Sequence, residues 1–187
     1  MENDAYTLQE FIGDLRRITS EAPDERTILA RVRPLAKRAA LSKSWLTPEH
    51  YSADQGQGYG VNVLHAEPDH KLFVVAVSWL AGRGTAPHNH GTWAVVVGGD
   101  GPEKNIFWER EDDQSRPGYA ELKKIGEKVC EEGDVVALPT GAIHEVQNET
   151  DRTTLSFHVY GRHLNHTGRS QFDPKNCTET ALIVKTQ

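Results

Sequence analysis

The sequence predicts a mainly β domain, an antiparallel sandwich or barrel with N-terminal helices packed on it, and three observations predict it. From Tyr59 onward, short segments rich in β-branched and aromatic residues alternate with Gly, Pro, Asp and Asn. No long helical pattern separates these segments, which leaves no place for the crossover helices of a parallel sheet. Within residues 1–50, apolar residues recur at helical rather than strand spacing.

Thr7 followed three residues later by Glu10 has the form of a capping box, and Leu8, Phe11, Ile12, Leu15 and Ile18 then share one helical face. That makes an amphipathic helix of about three turns. Ile28, Leu29, Val32, Leu35 and Ala36 mark a second helix, in which Pro34 either kinks the chain or occupies the first turn. Ser52 to Gly60 reads as the linker to the β part. The strands expected beyond it are Tyr59–His65, Leu72–Trp79, Trp93–Val97, Lys104–Arg110, Ala120–Ile125, Val135–Leu138, His144–Gln147 and Thr153–Tyr160. The chain of 187 residues is expected to be a single domain, with a helical part at 1–50, a β body at 59–161 and a C-terminal extension at 162–187.

Composition narrows the partners. A formal net charge of −6 argues against a nucleic-acid partner, which needs a basic surface. No stretch approaches the roughly 20 apolar residues of a membrane span and the N-terminus has no leader-like pattern, so no membrane partner is expected and a cytoplasmic location is. Cys130 and Cys177 are the only cysteines and lie far apart, which reads as ordinary thiols rather than a disulfide framework. The N-x-T triplets at Asn148, Asn165 and Asn176 matter only in a secreted chain and are read as chance.

Two stretches carry chemistry. Residues 86 to 93, APHNHGTW, set His88 and His90 two apart after a Gly/Pro-rich turn; if both belong to the start of the following strand, both imidazoles point to one face. Residues 133 to 148, GDVVALPTGAIHEVQN, bring His144 into a new strand after a type I turn expected at Leu138 to Gly141. Taken alone, the first reads equally well as polar loop residues and the second as a satisfied core histidine.

Together they form a pattern. Gly82, five residues, His88-x-His90 and Gly101 match the first cupin motif; Gly133, five residues, Pro139-x-Gly141, two residues, His144, three residues and Asn148 match the second in full. The chain thus resembles the cupin superfamily from about Tyr59 to Tyr160. The resemblance implies a double-stranded β-helix (jelly-roll) barrel with a metal inside. Cupins commonly carry a Glu ligand after three or four intervening residues beyond the second histidine, and here Ala94 and Val95 stand in its place. Three neutral imidazoles leave the charge of a divalent ion uncompensated and up to three octahedral positions open. Such a site favours an anion that binds the metal directly, and a thiolate, whose acidity the metal increases, fits.

In LSFHVYG, Leu155 to Gly161, strand alternation puts Ser156, His158 and Tyr160 on one face and Leu155, Phe157 and Val159 on the other. If the apolar set packs outward, the polar set points into the barrel and can satisfy itself as a Ser–His–Tyr chain. A solvent-facing polar stripe is the alternative. A serine hydrolase fits poorly, because Ser156 lies on a strand rather than at a strained turn.

Three histidines without the glutamate, followed by Ser-x-His-x-Tyr, resemble the cysteine dioxygenase family of thiol dioxygenases. The resemblance implies Fe(II) held by His88, His90 and His144, with Ser156, His158 and Tyr160 orienting thiol and O2 for sulfinate formation. Mammalian members carry an Arg before the first motif and a Cys crosslinked to the Tyr; Val61 stands at the first position, and Ala94 and Val95 exclude the second. Mercaptopropionate-type bacterial members carry an Arg about nine residues after the Tyr, and Arg169 stands nine after Tyr160. Arg169 is therefore the expected carboxylate clamp, with Arg83 and Arg162 in reserve for a second carboxylate, as in mercaptosuccinate. Trp79 and Trp93 are read as core. The open alternatives are cysteine dioxygenation, another three-histidine cupin chemistry (carbon–carbon cleavage, isomerase or lyase), and a non-catalytic ligand-binding cupin.

Overall fold

The computed structural model describes residues 6–187, so the first five residues of the helical part lie outside the described chain. Two α-helices lead, α1 at Leu8–Glu21 and α2 at Glu25–Ser42. The capping box at the start of α1 is formed: Glu10 N–H donates to Thr7 Oγ1 at 3.2 Å, and Thr7 N–H to Glu10 Oε2 at 2.7 Å. Helix α2 runs on through Pro34, which lies in its interior and not in its first turn. Helical dihedrals persist there despite the missing N–H, because Val32, Ala36, Ala39 and Ala40 are buried against the barrel.

Ten strands follow: β1 Tyr59–Ala66, β2 Phe73–Trp79, β3 Ala94–Asp100, β4 Glu103–Arg110, β5 Leu122–Cys130, β6 Val135–Leu138, β7 Ile143–Gln147, β8 Thr154–Tyr160, β9 Ser170–Asp173 and β10 Thr178–Ala181. They pair antiparallel in the orders β1-β2-β8-β3-β6, β5-β4-β7 and β10-β9. This is a mainly β, jelly-roll barrel with two helices packed on it. No helix among the described residues is long and apolar enough to cross a membrane.

Strands β2 and β8 are buried along their whole length because both of their faces are covered. Leu155, Phe157 and Val159 of β8 join a cluster with Phe11, Leu15, Val32 and Ala36 of the helices, and Phe157 lies 5.7 Å from the Phe11 ring and 5.1 Å from that of Trp45. The other face of the same strands, with Phe73, Val75, Val77 and Tyr160, fills the barrel. Burying a Phe such as Phe157 contributes about 1.5–3 kcal/mol, so this seam fixes the helices to the sheet.

Four expectations are corrected. Strand β5 ends at Cys130, well past Ile125, and starts at Leu122 rather than Ala120. The turn before His144 closes one residue later, with Ala142 N–H donating to Pro139 O at 2.9 Å. Residues 52–60 are no free linker: Asp54 bridges Tyr59, and Tyr59 and Gly60 already belong to β1. The C-terminal extension contributes β9 and β10, neither of which was expected.

Candidate metal centre

His88 and His90 precede β3 instead of beginning it, so strand alternation is not what aligns them. Their loop runs antiparallel to β7: Thr85 N–H donates to Val146 O, Asn148 N–H to Arg83 O, and His88 and His144 exchange both backbone hydrogen bonds, at 2.8 and 3.0 Å. Gly84 permits the approach, since a Cβ there would run into the Val146 carbonyl. On its other side the loop is braced by β9, where Phe172 N–H donates to Pro87 O and Asn89 N–H to Ser170 O. The two histidine-bearing segments are therefore joined by backbone, not only by side chains.

The imidazoles of His88, His90 and His144 are buried, and each offers one nitrogen within 4.8 Å of the others. The partners of two of the rings fix their tautomers. His88 Nδ1 donates to Ala86 O at 3.0 Å and His144 Nδ1 donates to Asn105 Oδ1 at 2.9 Å, which leaves both Nε2 lone pairs for the interior. Burial, then the neighbouring His144, hold His88 and His90 well below the ordinary imidazole value; burial, then Arg169, put His144 at about 3. All three are neutral and able to ligate. His90 Nε2 and His144 Nε2 stand 3.3 Å apart. Two nitrogens each about 2.1 Å from one ion stand roughly 3.0–3.4 Å apart, so the donor set fits a single transition metal with no carboxylate ligand.

Beside this cluster, Ser156, His158 and Tyr160 form the chain read from the sequence. Ser156 Oγ lies 2.7 Å from His158 Nε2, and His158 Nδ1 lies 2.8 Å from the Tyr160 hydroxyl. Burial depresses His158 to about 3 and raises the Tyr160 phenol, so both are neutral. The Tyr160 ring meets His90 edge-on at 5.1 Å, which sets the phenol next to the histidine cluster.

Arg169 faces the same space. Its side chain is buried at 4% exposure, it makes no ion pair, and its Nε has no hydrogen-bond partner among the described residues. Together with the three histidines, His158 and Tyr160, it lines a cavity of about 20 Å³ whose remaining wall includes Tyr59, Val61, Val77, Trp79 and Val184. The wall holds no carboxylate. Arg83 and Arg162, held in reserve, are exposed and outside this wall; Arg83 reaches toward Gly56 O and Arg162 donates to His166 O. Trp93 and Trp79 are both core, as read, and Trp79 also lines the cavity, its Nε1 donating to Ser156 Oγ at 2.9 Å.

Sequence reasoning missed Asn105 and Glu103. Asn105 holds His144, and its Nδ2 donates to Glu103 Oε1 at 2.8 Å. The available signal was a Glu and an Asn two apart at the start of β4, which on an alternating strand share a face with Phe107, a half-buried residue packed against the barrel core.

No protein-family model matches the sequence. Among solved structures, the chain is similar to oxalate oxidase in complex with the substrate analogue glycolate, at 14% identity and a TM-score of 0.46 over 76% of this chain. It is also similar to a cupin superfamily protein from Desulfitobacterium hafniense, at 14% identity and 0.42, covering 60% of this chain and 84% of that one. KdgF from Halomonas sp. matches at 18% identity and 0.45, covering 64% of this chain and 93% of that one. The chain spans 63–65% of the length of the oxalate oxidase chains it matches. These are likenesses of shape, and the chemistry of the site rests on its own residues.

Proposed function

We propose that the protein is a non-haem Fe(II) thiol dioxygenase that converts a small mercaptocarboxylate, of the 3-mercaptopropionate or mercaptosuccinate type, to the sulfinate. The observation that carries this reading is the buried, unpaired Arg169 guanidinium sharing one cavity with three neutral histidines. A buried cation without a counter-ion is costly, and a ligand carboxylate relieves it by a bidentate, charge-assisted contact. The histidines supply no negative charge, so a thiolate at the metal completes the balance. The absence of a carboxylate in the cavity wall leaves nothing to pair with the ammonium of cysteine, which favours the amine-free thiols.

His88, His90 and His144 would hold the iron, which when bound brings thiolate and O2 together so that both oxygen atoms pass to sulfur, RS⁻ + O2 giving RSO2⁻. Arg169 fixes the far end of the substrate and thereby the direction of its sulfur. Tyr160, held by His158 and Ser156, offers a hydroxyl to the cavity. The apolar wall of Val61, Val77 and Val184 limits water.

The test is O2 consumption by anaerobically iron-loaded protein with 3-mercaptopropionate, mercaptosuccinate, cysteine and cysteamine, with sulfinate followed by mass. Uptake with an acidic thiol and an equal amount of sulfinate is expected. No uptake with any thiol from fully iron-loaded protein overturns the reading.

A further inference from the structure

Only two charged residues, taken whole, are buried among the described residues, and Arg169 is one of them. The other is Glu103, 3% exposed, with no ion pair and no cation beside it. Its Oε1 accepts from Asn105 Nδ2 at 2.8 Å. Its Oε2 is sealed from solvent without a partner in hydrogen-bonding geometry, although Ser156 and Trp79 stand beside the carboxyl. Glu103 thus touches two networks, the one behind His144 and the one ending at Tyr160.

We infer that Glu103 is a positioning residue that works as a neutral carboxylic acid, its carbonyl oxygen fixing Asn105 and its hydroxyl closing onto Ser156 Oγ. The inference rests on the roles given above to the histidines and Tyr160.

Donor and acceptor counting supports it. Because Asn105 turns its amide nitrogen to Glu103 and Cys130, its oxygen must face His144, which holds the proton on Nδ1 and the lone pair on Nε2. On the other arm, Ser156 Oγ has two acceptor sites and one proton. Trp79 Nε1–H takes one acceptor site and a Glu103 hydroxyl the other, so the Ser156 proton must go to His158 Nε2. His158 Nδ1–H then donates to the Tyr160 oxygen, and the phenolic proton is free for the cavity. An ionised Glu103 reverses every bond: Ser156 donates to the carboxylate, His158 donates to Ser156, and the Tyr160 proton is spent on His158. A lone buried carboxylate is the costlier alternative, and burial indeed pushes the Glu103 carboxyl up.

Gln in place of Glu103 reproduces the neutral acid, with an oxygen for Asn105 and N–H groups for Ser156; Ala removes both arms. The experiment compares Glu103→Gln and Glu103→Ala with wild type by Co(II) titration of the metal-free protein, reading affinity and absorption envelope, and by kcat and KM with the best thiol. Expected are near-wild-type values for Glu103→Gln, and for Glu103→Ala a loss of about 10- to 100-fold in Co(II) affinity and kcat with KM little changed. Wild-type behaviour of Glu103→Ala in both readouts overturns the inference. So does Glu103→Gln as impaired as Glu103→Ala, which would make the group an ionised acceptor. If Glu103→Ala does not fold, Glu103→Met, of similar volume, carries the same comparison. The Co(II) readout does not depend on thiol oxidation, so failure of the thiol reading and failure of the Glu103 role remain distinguishable.

Discussion

His88 and His144 are paired through their backbones, each N–H donating to the other's carbonyl at 2.8 and 3.0 Å, so two candidate ligands from segments more than fifty residues apart share a single β-bridge. Backbone hydrogen bonds hold these two segments together, so substitution of a candidate ligand is expected to cost metal without costing the fold. Metal addition is expected to raise the Tm of the wild-type protein, because binding to the folded state alone stabilises it. In His144→Ala the circular dichroism spectrum stays the same and the Tm rise is lost. A retained rise would show that the metal binds elsewhere.

Arg169→Met should separate binding from stability. With acidic thiols its KM rises by about 10- to 100-fold, the worth of a hydrogen-bonded charge of roughly 1.5–3 kcal/mol, while thiols without a carboxylate are unaffected. The unliganded variant is expected to melt at or above the wild-type temperature, because an unpaired buried charge has been replaced by an apolar chain. Thermal melts and initial rates on the two substrate classes check both halves.

Removing only the phenolic oxygen, Tyr160→Phe should lower kcat by about tenfold or more while iron content and KM stay near wild type. Unchanged turnover would take the Ser156–His158–Tyr160 chain out of the chemistry.

Acid should destabilise the metal-free protein in a defined window. Burial holds His144 and His158 at about 3, against an ordinary 6.5, so between these values the unfolded chain binds protons that the folded one does not. The stability linked to them is complete above about pH 6.5 and is lost as pH falls from there toward 3. The Tm of metal-free protein should fall steadily across this range, more gently in His158→Gln. A flat profile would mean that the buried imidazoles are not neutral in the folded state.

The histidines and the Ser–His–Tyr chain were legible because they follow periodic spacing: two motifs of fixed intervals, and alternation along β8. Arg169 was legible only through resemblance, and no local pattern marks a buried arginine. Glu103 escaped because a charged residue at a strand end is ordinarily exposed, and only the closed barrel shows that nothing solvates it. Strand β5 was cut short because Gly126 and its charged neighbours look like a turn; on an edge strand such charges are common, and Gly126 sits opposite the irregularity between Phe107 and Trp108. Strands β9 and β10 are short and polar, and their pairing is visible only once the chain has returned to the histidine loop.

Strand β8 separates two compartments, with Leu155, Phe157 and Val159 among the helices and Ser156, His158 and Tyr160 in the cavity. Every second residue therefore answers to a different set of neighbours, and substitutions on one side can be absorbed without disturbing the other. Length has no such freedom: inserting or deleting one residue within β8 would exchange the contents of the compartments, sending the imidazole among the helices and the phenylalanine to the cavity. The strand can thus accept changes in its letters but not in their number.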